Sequence, residues 1–324
     1  VVQLVMLITH AVKNNRMARY TLGSLDDLAR AADSLNRTVT GEPKPTLTGV
    51  QSLAGQLGSI DAERLDRRIN ISAEHKELRE LAIAINGMLD RIDAAYRAQA
   101  QFVSDASHEL RTPISVIQGY ANLLDRWGKG DSKTLQESIT AIKNETANMK
   151  DLVEQLLFLA RGDSDSITLE PTEFDLAALA AEVVEETSMI DTAHSLDLKT
   201  NPVSVVADRG LIKQAVRILV DNSVKYTDAS GQITVSCSGD VSTGAPMARI
   251  SVGDNGIGIA PDVLPHIFER FTRADASRAR ATGGAGLGLA IAKWIVTRHA
   301  GRLEALSREG IGTRMTILLP MGNV

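Results

Sequence analysis

The sequence predicts two structural classes in series: an all-α coiled-coil and four-helix-bundle region, followed by an α/β sandwich. Three observations carry this reading. Apolar residues recur at three- and four-residue spacing from about 73 to 160. Beyond Pro171 the pattern changes to alternating helices and short strands. Hydrophobic residues make up 44% of the 324 residues but aromatics only 3%, which suits helices packed through Ala, Leu, Ile and Val. A chain of this length is expected to hold two or three domains.

The chain opens on Val1 to Ile8, apolar apart from Gln3, and then carries Lys13, Arg16 and Arg19. Eight residues cannot span a bilayer, which takes about 20. An apolar end followed by basic residues fits the cytoplasmic exit of a transmembrane helix; an ordinary amphipathic helix start is the alternative. Residues 10–40 read as a helix, with Leu22, Leu25, Leu28, Ala32 and Leu35 near one face. Gly41 to Pro45 breaks it. A second periodic stretch, Leu47 to Leu57, precedes a long helix from near Ala73 through Leu78, Leu81, Ile85, Met88, Ile92 and Ala95 to about Arg126.

Trp127 to Ser132 turns the chain, with Asp131 or Ser132 as the N-cap. The returning helix carries Leu135, Ile139, Ile142, Thr146, Met149, Val153 and Leu156 in a narrow seam. Two such helices leave apolar surface uncovered, and a homodimer closing a four-helix bundle would cover it. Arg161 to Ser166 begins a polar linker. Then Val203 to Val206 reads as a strand, and Asp208 caps a helix through Lys225. Gln232 to Ser238, Ala248 to Val252 and Thr313 to Leu319 read as strands, and Leu287 to His299 as a helix.

Several classes are disfavoured. A net charge of −5 implies no nucleic-acid surface. The single cysteine, Cys237, allows no internal disulfide and reads as a small buried hydrophobe in a strand. No Gly-rich loop ending in GKS or GKT is present.

Ser107-His108-Glu109-Leu110-Arg111-Thr112-Pro113 places a histidine beside a carboxylate inside the long helix. At 100° per residue Ala106 and Leu110 share an apolar stripe, and His108 lies about 180° from its midpoint. The histidine is therefore displayed, and a displayed imidazole can move a proton or act as a nucleophile. Pro113 removes the hydrogen bond to the Glu109 carbonyl and should bend the helix there. His10, His75, His194, His266 and His299 match no metal-ligand spacing and read as structural or surface residues.

Four further segments follow in order: Asp221 to Thr227, Asp254-Asn255-Gly256-Ile257-Gly258, Phe268 to Phe271, and Gly284-Ala285-Gly286-Leu287-Gly288-Leu289. With the His108 segment, their order and spacing resemble the boxes of a bacterial two-component sensor histidine kinase. The resemblance is close from about residue 75 onward and looser before it. It implies a possible transmembrane end at 1–8 and a HAMP-like linker with a long connector at 9–98. A dimerisation and phosphotransfer domain at 99–161, a linker at 162–171 and a Bergerat-type ATP-binding domain at 172–324 follow. Gly23 near the family's usual proline, and the long stretch 36–60, depart from the linker pattern.

The resemblance also implies the chemistry. His108 is the phosphoacceptor, Glu109 the base, and Thr112 orients water in dephosphorylation of the partner. Asn222 holds Mg²⁺, while Lys225 and Arg273 touch the phosphates of ATP. Asp254 accepts from the adenine amino group, with Gly256 and Gly258 letting the backbone approach the ring; Thr313 borders that pocket. Tyr226, Phe271, Gly284, Gly286, Leu287 and Gly288 complete the nucleotide site. Ala274 to Gly288 has the composition of a mobile lid. Ile218 stands where the family often has a second asparagine, so only Asn222 carries over as metal ligand. The implied partners are a second copy of the chain, a response-regulator receiver domain and the inner membrane, with this portion cytoplasmic. An ATPase of the wider fold superfamily, or a signalling scaffold with an inactive ATP site, are the competing readings.

Overall fold

The computed structural model describes residues 76–127, 131–164, 166–240, 246–273 and 284–321. The expected membrane end, the helix at 10–40, most of the linker and lid residues 274–283 lie outside the described residues. The chain divides after His108 into two compact units.

Helix α1, Lys76–Trp127, is a single 52-residue element. It runs without interruption through Pro113, which is buried, although proline withdraws one backbone donor. Asp131 then starts α2, Ser132–Asp163: its backbone is extended and its carboxylate accepts from Lys133 N at 3.0 Å. Leu152, Leu156 and Leu159 of α2 are buried, whereas Leu135 and Ile139 remain 40% and 39% exposed. On α1, Val103, Ile114, Val116 and Tyr120 are also exposed. Both helices thus keep an apolar face open in the single chain.

Helix α2 continues two residues into the stretch that the sequence assigns to the linker. The reason is packing. Gly162 is buried, and a Cβ there would stand 2.7 Å from the Trp294 indole. Phe158 meets the same indole edge-on, with ring centroids 5.2 Å apart and planes at 86°. Asp163 accepts from Arg270 at 2.6 Å.

The remainder is an α/β sandwich. Its elements are β1 (Thr172–Asp175), α3 (Leu176–Ile190), β2 (Ser195–Thr200), β3 (Ser204–Ala207), α4 (Arg209–Tyr226), β4 (Gln232–Asp240), β5 (Met247–Asp254), α5 (Gly288–Arg298), β6 (Arg302–Arg308) and β7 (Gly312–Pro320). A five-stranded sheet runs β2-β4-β5-β7-β6, with β2 parallel to β4 and the other pairs antiparallel. β1 and β3 form a small antiparallel ribbon. The core lies between helices and sheet: Leu179, Ile212, Val216, Leu219, Ile233, Ile250, Ile291, Ile295 and Ile317 are almost fully buried. Cys237 is buried in β4, and burial pushes its thiol up to about 12. It packs as a small hydrophobe.

Helices α3 and α4 are laced together at their outer edge. Lys213 Nζ lies 2.6 Å from Glu182 and 2.7 Å from Glu186, while Arg209 pairs with Glu182 and Arg217 with Glu186. The buried face of Ile212, Ala215, Val216, Leu219 and Val220 seats α4, which carries one wall of the site, and the half-exposed ladder adds little to it.

Candidate active site

Helix α4 is anchored at its start. Asp208 Oδ1 accepts from Leu211 N at 3.1 Å, and Oδ2 accepts from Glu170 N at 3.1 Å. Asp208 N donates to His299 Nε2 at 3.0 Å. With Ile212, Ala215 and Val216 buried on one face, the helical period sets Ile218, Asn222, Lys225 and Tyr226 along its flank, on average about 90° round the helix. They line a cavity of about 250 Å³, near the lower end for small-ligand sites.

The opposite wall begins where β5 ends. Asp254 Oδ2 accepts from Ser223 Oγ at 2.9 Å. Its Oδ1 accepts from Gly256 N and from Thr313 N, each at 3.1 Å. A carboxylate offers about four acceptor positions. Three are taken, so one is left for a donor in the cavity, as an exocyclic amino group would be. Thr313 is held in turn by Ser307 Oγ, 2.8 Å from its hydroxyl.

The glycines after Asp254 lie close against neighbouring backbone. A Cβ on Gly256 would stand 2.2 Å from the Tyr226 carbonyl oxygen, and one on Gly258 would stand 2.1 Å from that of Arg308. Gly258 also has φ +69°, a region that disfavours side chains. Both glycines allow close passage of backbone against backbone, and Gly258 also lines the cavity. Ile257 N donates to the Tyr226 carbonyl at 3.1 Å in the same crossing.

The third wall is cationic and Gly-rich. Lys225, Arg273, Gly284, Gly286, Leu287 and Gly288 line it. Burial holds the Lys225 ammonium below its ordinary value, and the Arg273 charge adds to this. Burial raises the Tyr226 phenol, against Arg273. Lys225 Nζ lies 5.1 Å from the Tyr226 ring centroid, within cation–π range. Helix α5 begins at Gly288 with Leu287 as N-cap and no side-chain capping bond. Its first amides are thus left to an anion. Arg273 Nη1 lies 3.5 Å from Glu109 Oε2, and its buried Nε has no hydrogen-bond partner.

The fold thus gathers Asn222, Lys225, Tyr226, Asp254, Gly258, Arg273, Gly284, Gly286, Leu287, Gly288 and Thr313 around one cavity. Gly256 and Phe271 do not line it. Phe271 has φ +60° and its N–H donates to the Gly286 carbonyl at 3.0 Å, so it braces the glycine segment from behind. Sequence reasoning missed Ser223, a core-facing hydroxyl that orients Asp254, and the apolar lining from Ile257, Ile259, Ile267 and Met315. It also missed Gln155 and Asp221 in the lining.

Residues 207–323 match the family described as histidine kinase-, DNA gyrase B- and HSP90-like ATPase. Residues 98–165 match the His kinase A phospho-acceptor domain, and 44–94 the HAMP domain. Sensor histidine kinase YkoH of Bacillus subtilis is 40% identical over 83% of this chain and 58% of its own. The chain belongs to the sensor histidine kinases. It spans about three-fifths of the length of the curated relatives it matches, among them signal transduction kinase ArlS of Staphylococcus epidermidis, 32% identical over 86% of this chain and 60% of that one. Among solved structures, Acinetobacter baumannii histidine kinase AdeS superposes with TM-score 0.51 at 26% identity, over 67% of this chain and 98% of that one. Histidine kinase ThkA, solved in complex with response regulator protein TrrA, gives TM-score 0.57 at 26% identity over 71% of this chain and 64% of that one.

In this sensor histidine kinase the phosphoacceptor match falls on α1 and α2 and the ATPase match on the sandwich. His108 and Thr112 are exposed on α1, one helical turn apart, and Glu109 is half-buried between them.

Proposed function

We propose that the chain is a protein-histidine kinase that moves the γ-phosphoryl group of ATP to His108, and then to an aspartate of a response regulator. The single observation that carries this is Asp254: a carboxylate fixed by three donors, with one acceptor position left, in a cavity that also holds Asn222, Lys225 and Arg273. Phosphoryl transfer needs alignment and charge neutralisation more than covalent help, and these residues supply both. Asp254 selects the adenine amino group. Lys225, Arg273 and the α5 N-terminus take the phosphates. The Asn222 amide oxygen suits Mg²⁺, a hard cation that prefers oxygen; when bound, the ion offsets phosphate charge. Glu109 accepts the imidazole proton as His108 attacks.

We further infer a homodimer, with the open apolar faces of α1 and α2 covered by a second copy. A response regulator is the proposed acceptor, in line with the named partner of ThkA. The HAMP match supports a membrane-anchored protein whose described portion is cytoplasmic; no helix among the described residues is long and apolar enough to cross a membrane. Thr112 is proposed to orient the water that dephosphorylates the partner: Thr112→Ala should slow decay of phospho-aspartate roughly 30- to 150-fold, with autophosphorylation kept within about threefold. Ile218 in the cavity wall favours the second reading, a scaffold with an inactive site, because it offers no metal ligand. Incubation with γ-labelled ATP and Mg²⁺ separates the two: a kinase gives acid-labile, base-stable label that Asp254→Asn abolishes, and a scaffold gives none.

A further inference from the structure

Arg273 connects the cavity to Glu109. Arg273 Nη1 lies 3.5 Å from Glu109 Oε2, with side-chain exposures of 25% and 33%. That distance is beyond a hydrogen bond, whose usual length is about 2.9 Å, so the pair is a charge contact that can be exchanged. Arg273 also lines the cavity with Lys225 and Gly284, and its buried Nε has no hydrogen-bond partner. A guanidinium is a planar fork that binds phosphate through two parallel charge-assisted bonds. A bidentate phosphate would satisfy the orphaned Nε and outbid a single carboxylate contact at 3.5 Å.

We propose that Glu109 and nucleotide phosphate compete for Arg273, so that bound nucleotide draws the guanidinium off Glu109 and releases the base at the moment it is needed. This rests on the kinase reading above and gives Arg273 a second partner besides phosphate, Glu109, which it holds until nucleotide binds. In the step so enabled, an imidazole nitrogen of His108 forms the bond to the γ-phosphorus, and the bond to the ADP oxygen breaks with its electron pair leaving on ADP. The N–H proton of the other ring nitrogen passes to the freed Glu109 carboxylate. Competition is reciprocal: whatever factor the nucleotide takes from the Glu109–Arg273 contact, Glu109 takes from nucleotide affinity.

The test is calorimetric titration of the full chain with the non-hydrolysable analogue AMPPNP and Mg²⁺. Glu109→Gln should bind roughly threefold to fivefold more tightly than wild type, the range for a half-exposed ion pair. The same change in an Arg273→Gln background should leave affinity unaltered, and an Arg273→Lys background should keep part of the gain. Unchanged affinity in Glu109→Gln, or a gain that survives in Arg273→Gln, overturns the proposal while leaving the kinase reading intact. A folded wild-type chain that binds no AMPPNP overturns both.

Discussion

Ser223 Oγ donates to Asp254 Oδ2 at 2.9 Å, so a buried hydroxyl on α4 sets the carboxylate at the end of β5. Two walls of the cavity are thereby locked together. Asp254→Asn either turns its amide nitrogen on the Gly256 and Thr313 N–H donors or, at the Oδ2 position beside Ser223, presents a donor where the cavity had an acceptor; AMPPNP binding should disappear by calorimetry. Ser223→Ala removes one bond of about 1 kcal/mol, so affinity should fall roughly fivefold. Unchanged affinity in Asp254→Asn would place the adenine contact elsewhere.

The seam between α2 and α5 rests on Trp294. Its indole covers Gly162 and meets Phe158 edge-on. Trp294→Ala removes part of a half-buried aromatic and should destabilise the sandwich by about 2 kcal/mol in urea titration. Gly162→Leu has no room unless the indole moves and should destabilise similarly. Wild-type stability in both variants would show that this contact holds nothing.

His194 gives a pH dependence. Its Nδ1 lies 2.6 Å from Asp191 Oδ2 and its Nε2 lies 3.1 Å from the Thr227 carbonyl. Both partners are acceptors, so the ring is asked to donate twice. Burial alone would lower its pKa, but the bonds to Asp191 and to the Thr227 and Asp228 backbone outweigh this and raise it. A raised folded value contributes stability that is full below the unfolded value of about 6.5 and is lost as pH rises through the folded value. For Asp191, burial acts upward, but Ala193 N–H and His194 lower it, so its contribution holds above about pH 3.9 and fades as pH falls through the depressed value. The melting temperature should therefore decline from near neutrality upward, and His194→Gln should flatten that limb. An unaltered profile in the variant would assign the decline to other groups.

Dimerisation is checked at the seam. Ile142→Glu with Val153→Glu places two carboxylates on the face that a second copy would cover, at a cost of several kcal/mol. Sedimentation should shift from dimer to monomer. A wild-type monomer at micromolar concentration would contradict the bundle.

Much of this site was legible because its parts are local. Asp208 caps α4 as its residue type suggests, and the 3.6-residue period then places Asn222 and Lys225 on one face. β4, β5 and β7 were legible from alternation and apolar runs in a mostly buried sheet interior. Edge elements were not: β2 and β6 carry Asp197, Lys199, Glu304 and Arg308 among few apolar residues, because an edge strand exposes more of its side chains. The end of α2 was misread for a related reason. Arg161 to Ser166 is polar in sequence, and only the indole of a residue more than 130 positions away shows why Gly162 stays helical and buried. Ser223 was invisible likewise, since its partner Asp254 is 31 residues distant.

The most direct measurement is phosphorylation of His108→Gln. Wild type and variant are incubated with γ-labelled ATP and Mg²⁺, AMPPNP affinity is measured in parallel, and the label is tested for acid lability. The account predicts that the variant binds AMPPNP within about twofold of wild type and carries no acid-labile label. Persistent acid-labile labelling of His108→Gln would contradict it.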